Sequence, residues 1–241
     1  KGVCEPEIIS IKAIQDGLKS GEIVDLGKAD KMNIEKSIAL NPNVIFAAPI
    51  PGMTYGGIEK TGITLVESVD YMEEDPLGRA EWIRFFSLFV GKEALGDSIF
   101  SEIEKNYLDI KNQVTKIDKK PTVLLDMKYG NVWYMPGGKS FMSRMIADAG
   151  GDYMWKDDET TGASPLSFEQ VLSKGENADV WVIRYGNPKD YTLSSLKKEY
   201  DLYSHFSAFK NKNVFASNLT YSEFYKDLPV HPEWILKDLA K

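Results

Sequence analysis

Between Lys92 and Ile117 apolar side chains recur at Leu95, Ile99, Ile103, Tyr107, Ile110, Val114 and Ile117, at spacings of four and three. That rhythm places them on one face of a helix. A helix of about 25 residues reaches roughly 38 Å, well beyond the usual length of about 11 to 12 residues. It is long enough to join two lobes. Lys119, Lys120 and Pro121 end it, because proline cannot continue the ladder of hydrogen bonds. The spacing therefore predicts a first lobe over 1–91, a connecting helix over 92–118 and a second lobe over 119–241. One α/β domain carrying a long surface helix is the alternative. Gly96 is the weak point, since an interior glycine costs about 1 kcal/mol relative to alanine; it marks either a break or the helix start.

On both sides of that helix, short β-rich runs alternate with helical patterns, the signature of an α/β fold with mainly parallel sheets. The clearest strands are Val44–Ala48, Ile63–Glu67, Thr122–Met127, Val180–Tyr185 and Asn213–Ala216. Helix starts are legible at Asn33, before Ile34–Leu40, and at Ser167, where Gln170 completes a capping box. A further helix over Lys139–Ala149 is stopped by Gly150 and Gly151. In open α/β sheets, the loops after the strand carboxyl ends are where ligands bind.

The formal net charge of -7 argues against nucleic acid as a partner, because binding a phosphate backbone needs clustered Lys and Arg. No apolar run approaches the roughly 20 residues that cross a bilayer. The first residues, Lys1–Pro6, carry no secretory-signal pattern, so any signal is expected to be already removed or never present. The single cysteine, Cys4, reads as a small apolar side chain. With only two histidines, His205 and His231, and no HExxH or paired cysteines, no protein-only metal site is expected. Nucleophile-elbow, dinucleotide and phosphate-loop motifs are absent; Gly137, Gly138, Lys139 and Ser140 echo only the last. The acidic runs Glu73–Asp75 and Asp157–Glu159 read as solvated loop. No catalytic residue and no cofactor are assigned.

Aromatic and soft side chains instead collect on the loops expected at a cleft mouth: Met53 and Tyr55, then Tyr129, Trp133, Tyr134 and Met135, then Tyr185 and Tyr221. Such faces grip large, planar or greasy ligands. Arg184, Lys128 and Lys139 stand near them in the sequence and could meet an anion. The expected ligand site lies between the lobes, with Met53 and Tyr55 on one side and Trp133, Tyr134, Arg184, Tyr185 and Tyr221 on the other.

Four segments occur in order: Pro76-Leu-Gly-Arg-Ala-Glu-Trp-Ile83, Trp133-Tyr-Met-Pro-Gly-Gly138, Asp148-Ala-Gly-Gly-Asp-Tyr153 and Pro165-Leu-Ser-Phe-Glu169. Together with the long helix they resemble the helical-backbone, class III periplasmic binding proteins of ABC importers. The likeness runs from about Gly2 to Leu239. It implies a two-lobed, extracytoplasmic protein, lipid-anchored in some members, that binds rather than catalyses. The implied ligand is a ferric siderophore or similar iron complex, or alternatively a corrinoid such as cobalamin, or haem. The metal-ion branch relies on several histidines that this chain lacks. The resemblance also implies docking on the permease through one acidic residue per lobe, here Glu59 and Asp190. A two-lobed enzyme or chelatase is the rival of another class, and a binding module that has lost transport is a third. Family members usually carry a strand and a helix before the segment matching Lys1–Glu7, so the chain is expected to begin late, with its first lobe short of an outer strand and one ligand loop. The membrane is expected to be met only through the permease or a lipid anchor outside the chain.

Overall fold

Asn33 takes extended backbone and its carboxamide oxygen accepts from Lys36 N, which starts helix Ile34–Leu40 where the sequence says it should start. Side-chain caps of the same kind open the helices that begin at Pro76, Phe141, Phe168 and Leu193. The computed structural model of the chain describes residues 1–49, 55, 57–114 and 118–241. These fall into two compact units, Lys1–Val69 and Asp70–Lys241.

In the first unit, strand β1 (Gly2–Val3) runs parallel to β2 (Val24–Asp25), and β3 (Gly27–Lys28) forms a hairpin with β4 (Lys31–Met32). Strand β5 (Ile45–Ala47) pairs in parallel with β6 (Leu65–Glu67). Helix α1 (Lys12–Ser20) follows β1 and helix α2 (Ile34–Leu40) follows β4. The fully buried core is small: Leu26, Met32 and Ile58, with Cys4, Ile34, Leu40 and Tyr55 packed at its margin.

The second unit opens with α3 (Pro76–Leu88), capped by Asp75, whose carboxylate accepts from Leu77 N and Gly78 N. Helix α4 (Glu93–Val114) follows and runs through Gly96 without a break. The glycine is there for packing. A Cβ at Gly96 would lie 2.5 Å from Ser87 Oγ and 3.3 Å from Ile83 O, so its absence lets α3 and α4 approach closely. Ile103, Tyr107 and Val114 of the expected stripe are buried, whereas Leu95 is exposed and Phe100 takes its place in the core. The expected end of the helix at Ile117 lies outside the described residues. Helix α3, which the sequence reading placed before the connecting helix, packs on α4 and shares its unit.

Strands β7 (Thr122–Leu125), β10 (Asp152–Tyr153), β12 (Val180–Tyr185) and β13 (Val214–Asn218) form an all-parallel sheet in the order β10-β7-β12-β13. A second, antiparallel sheet in the order β11-β9-β8 joins β8 (Lys128–Tyr129), β9 (Val132–Pro136) and β11 (Ala163–Leu166). Helices α5 (Phe141–Asp148), α6 (Phe168–Gly175), α7 (Leu193–Glu199), α8 (Ser207–Lys210), α9 (Phe224–Asp227) and α10 (Pro232–Leu239) complete the unit. The capping box at α6 forms as read, Ser167 Oγ accepting from Gln170 N while Gln170 Oε1 accepts from Ser167 N. The chain is thus α/β with parallel sheets.

Two backbone features shape the second unit's loops. Strand β7 stops after Leu125 because Asp126 turns to φ 59°, the left-handed region. Gly137 and Gly138 seat directly against another stretch of main chain: added Cβ atoms would lie 2.1 Å from Thr160 O and 2.3 Å from Lys156 O. Gly137 N donates to Gly162 O at 2.7 Å and Lys139 N to Thr160 O at 3.1 Å.

Candidate functional site

The carboxyl ends of β7, β12 and β13 lie side by side in the parallel sheet and present Asp126, Arg184, Tyr185 and Asn218. The left-handed turn at Asp126 fixes all its polar groups. Its N–H donates to Val182 O at 2.7 Å and its carbonyl accepts from Trp181 Nε1 at 2.6 Å. Its carboxylate holds Arg184 in a fork, Nε to Oδ1 at 2.8 Å and Nη2 to Oδ2 at 2.5 Å. Both side chains are largely buried. Burial works against the charge of Arg184, but the hydrogen bonds and charge of Asp126 outweigh it and hold the guanidinium protonated. The ring of Phe224 lies 5.9 Å away.

Beside that pair, Asn218 knits two loops together. Its Nδ2 donates to Asn187 O at 2.8 Å and Asp190 Oδ1 at 2.9 Å, while its Oδ1 accepts from Asn187 N and Thr220 N. Tyr185 Oη donates to Asp190 Oδ1 and accepts from Tyr191 N at 2.9 Å. Burial, and then the neighbouring Asp190 charge, push the Tyr185 phenol up despite the hydrogen bond from Tyr191. Tyr221 Oη donates to Pro188 O at 2.8 Å and leaves its ring exposed.

The β8–β9 hairpin springs from the carboxyl end of β7. Along β9 the side chains alternate as strand geometry demands: Trp133 and Met135 are fully buried, while Tyr134 is 50% exposed. Tyr129, on β8, is 82% exposed. Lys128 lays its ammonium over the Tyr200 ring at 3.6 Å.

This geometry corrects several expectations. Trp133 is not a cleft residue: it stacks on Trp181 at 5.9 Å and donates Nε1 to Leu125 O at 3.0 Å, inside the core. Arg184 is engaged by Asp126 rather than free for an anion, and Tyr185 is buried. Lys139 is paired with Glu159. Tyr134 and Tyr221 do present exposed rings. In the first unit, Tyr55 donates its hydroxyl to Glu67 Oε1 at 2.9 Å and packs at the core margin. Met53 lies outside the described residues. Glu59 is exposed on a short turn after Gly57, and Asp190 is exposed with one oxygen in the network above.

Asp126, Asn218 and the exposed Tyr225 escaped the sequence reading. Asp126 meets Arg184 only through strand pairing, which leaves no local signal. Among the described residues, no group of three or more His, Cys, Asp or Glu side chains is placed to hold a metal ion. His231 stacks on Trp234 at 3.8 Å and contacts Glu233 Oε1 through Nδ1 at 3.0 Å. The strand edge thus offers the exposed ring of Tyr221 beside a braced polar network, while Tyr134 exposes its ring on β9 of the second sheet.

The chain is 33% identical over 219 residues to an uncharacterized lipoprotein of Methanocaldococcus jannaschii, covering 87% of this chain and 50% of that protein. It thus spans about half the length of that curated relative. Among solved structures, a possible iron-binding (periplasmic solute-binding) protein of Staphylococcus epidermidis superposes with a TM-score of 0.74 at 18% identity, covering 99% of this chain and 88% of that one. An ABC-type Fe3+-hydroxamate transport system protein of Saccharomonospora viridis gives 0.65 at 16% identity, with 99% and 83% covered. The vitamin B12 binding protein BtuF of Vibrio cholerae gives 0.62 at 17%, with 92% and 82% covered. At these identities the likeness is one of fold. Residues 5–218 match the family described as periplasmic binding protein, and to that family this chain belongs.

Proposed function

We propose that the chain is the substrate-binding component of an ABC importer, which captures an iron-siderophore or similar iron complex and hands it to the permease without covalent chemistry. The family match over residues 5–218 supports the class. The observation that carries the site is the carboxyl edge of the parallel sheet, where the Asp126–Arg184 and Asn218 networks brace loops bearing exposed tyrosines. Rigid aromatic faces freeze few rotamers on binding. The paired Arg184 acts in this reading as a brace rather than as a contact, so Tyr134 and Tyr221 carry the second unit's share of the recognition.

The working place is extracytoplasmic. A relative that carries the label lipoprotein supports a lipid tether. Among the described residues, no helix is long and apolar enough to cross a membrane. Glu59 and Asp190 remain the proposed docking points for the permease. A corrinoid or haem is the second reading, favoured by the vitamin B12 binder among the structures of like fold.

Quenching of intrinsic tryptophan fluorescence during titration with a ferric catecholate, a ferric hydroxamate, cobalamin and haemin tests both readings. One ligand is expected to bind, and Tyr134→Ser and Tyr221→Ser should each weaken it about tenfold or more, the loss of one aromatic contact face. Binding of cobalamin or haemin alone selects the second reading. Equal affinity in wild type and both variants would show that the site lies elsewhere. Turnover of any of these compounds would favour the rival enzyme class.

A further inference from the structure

The tip of the α3–α4 hairpin carries the only run of three consecutive exposed large apolar side chains among the described residues. Leu88, Phe89 and Val90 follow one another there, 58%, 43% and 66% exposed. Consecutive helical residues point about 100° apart, so Leu88 and Phe89 face different directions, and Val90 begins the turn that Gly91 completes with φ 62°. A flat protein partner covers one side of such a tip. A fluid medium covers all of them.

Charge points the same way. In a chain with 36 acidic residues, none occurs between Glu81 and Glu93. That interval holds Arg84 and Lys92, and Arg84 is already neutralised by Glu81 and Asp97. Behind the tip, Phe85 and Phe86 meet edge to face at 5.7 Å and Phe85 meets Phe89 at 5.2 Å, which stiffens the helix end that carries the exposed residues. Glu93, on the first turn of α4, then limits how far the tip could sink.

We infer that this hairpin tip dips into the interface of a lipid bilayer, a second and reversible attachment that would hold the binding protein flat against the membrane bearing its transporter. The inference rests on the extracytoplasmic reading above, and it supplies what a single lipid chain lacks, since stable anchoring takes two signals.

The test is flotation of the purified full chain with phosphatidylcholine vesicles, with and without phosphatidylglycerol. Wild type should float with the vesicles. The triple variant Leu88→Ser, Phe89→Ser, Val90→Ser should stay behind, its partitioning weakened roughly tenfold per apolar side chain removed. A control variant, Phe215→Ser, removes a ring still more exposed than that of Phe89 from edge strand β13 and should float like wild type. Circular dichroism confirms that each variant is folded. Wild type left in the soluble fraction, or a triple variant that floats unchanged, overturns the inference. So does a dimer in sedimentation velocity that the triple variant abolishes, which would make a second copy the occupant. Ligand titration of the same samples is independent: a triple variant that keeps ligand affinity but loses flotation separates this inference from the transport reading.

Discussion

The two units use the same kinds of element yet close their cores very differently. The first relies on strands of two and three residues, and among the described residues its buried apolar core is Leu26, Met32 and Ile58. The second stacks Trp133, Trp181, Tyr203 and Phe206 on its sheets, all buried, and anchors their polar atoms to main chain: Trp133 to Leu125 O, Trp181 to Asp126 O, and Tyr203 Oη to Lys128 N. An aromatic with a satisfied polar handle contributes area and also fixes where a strand ends. Small cores leave a unit marginal, so the first unit should open before the second.

Urea unfolding followed by circular dichroism and tryptophan fluorescence should show that order, and substitutions sharpen it. Trp181→Ala should remove about 3–5 kcal/mol from the later transition and leave the earlier one in place. A single transition that shifts as a whole would break the comparison. Next comes Arg184→Met, which leaves the Asp126 carboxylate buried without its cation and should cost about 3 kcal/mol, again in the later transition. Adding Asp126→Asn should recover much of that loss, as a double-mutant cycle would measure. Ile58→Val, in the first unit, should lower only the earlier transition, by about 0.5–1.5 kcal/mol. Tyr134→Ser should move neither by more than about 0.5 kcal/mol while weakening the ligand, which separates recognition from folding.

The smallest effect concerns acid. Asp179 accepts from Thr122 N and Oγ1, both at 2.9 Å, and these bonds hold its carboxyl below the usual range. A carboxyl lowered in the folded state stabilises above its unfolded value, and that contribution is lost as pH falls through the folded one. Asp179→Asn should therefore flatten the acid limb of the later transition below about pH 4 and change little near neutrality.

Much of this architecture was legible because it is local. Strand β12 appears with the limits read from the sequence, and the caps at Asn33 and Ser167 form as their side chains predict. Strand β7 falls short of the expected Met127 because Asp126 adopts a left-handed backbone, which an aspartate tolerates but does not announce. The second sheet was missed for a sharper reason. Trp133-Tyr-Met-Pro looked like a loop of exposed aromatics, yet it is a strand in which every second side chain points inward. Pairing between Arg184 and Asp126 is set by strand order, which no short window contains.

Gly137 and Gly138 hold the segment from Lys156 to Gly162 by main chain meeting main chain. That attachment reads only a few of the side chains the segment carries: a Cβ at Gly137 would also lie 2.2 Å from Thr160 Oγ1, and Lys139 pairs with Glu159. Its path is fixed largely by backbone, so outward residues away from those contacts, such as the exposed Asp157 and Thr161, can drift between descendants without loosening the frame, and a new surface chemistry can be tried at this rim one substitution at a time. Either glycine replaced by alanine would end that freedom, because the added carbon would have to displace backbone.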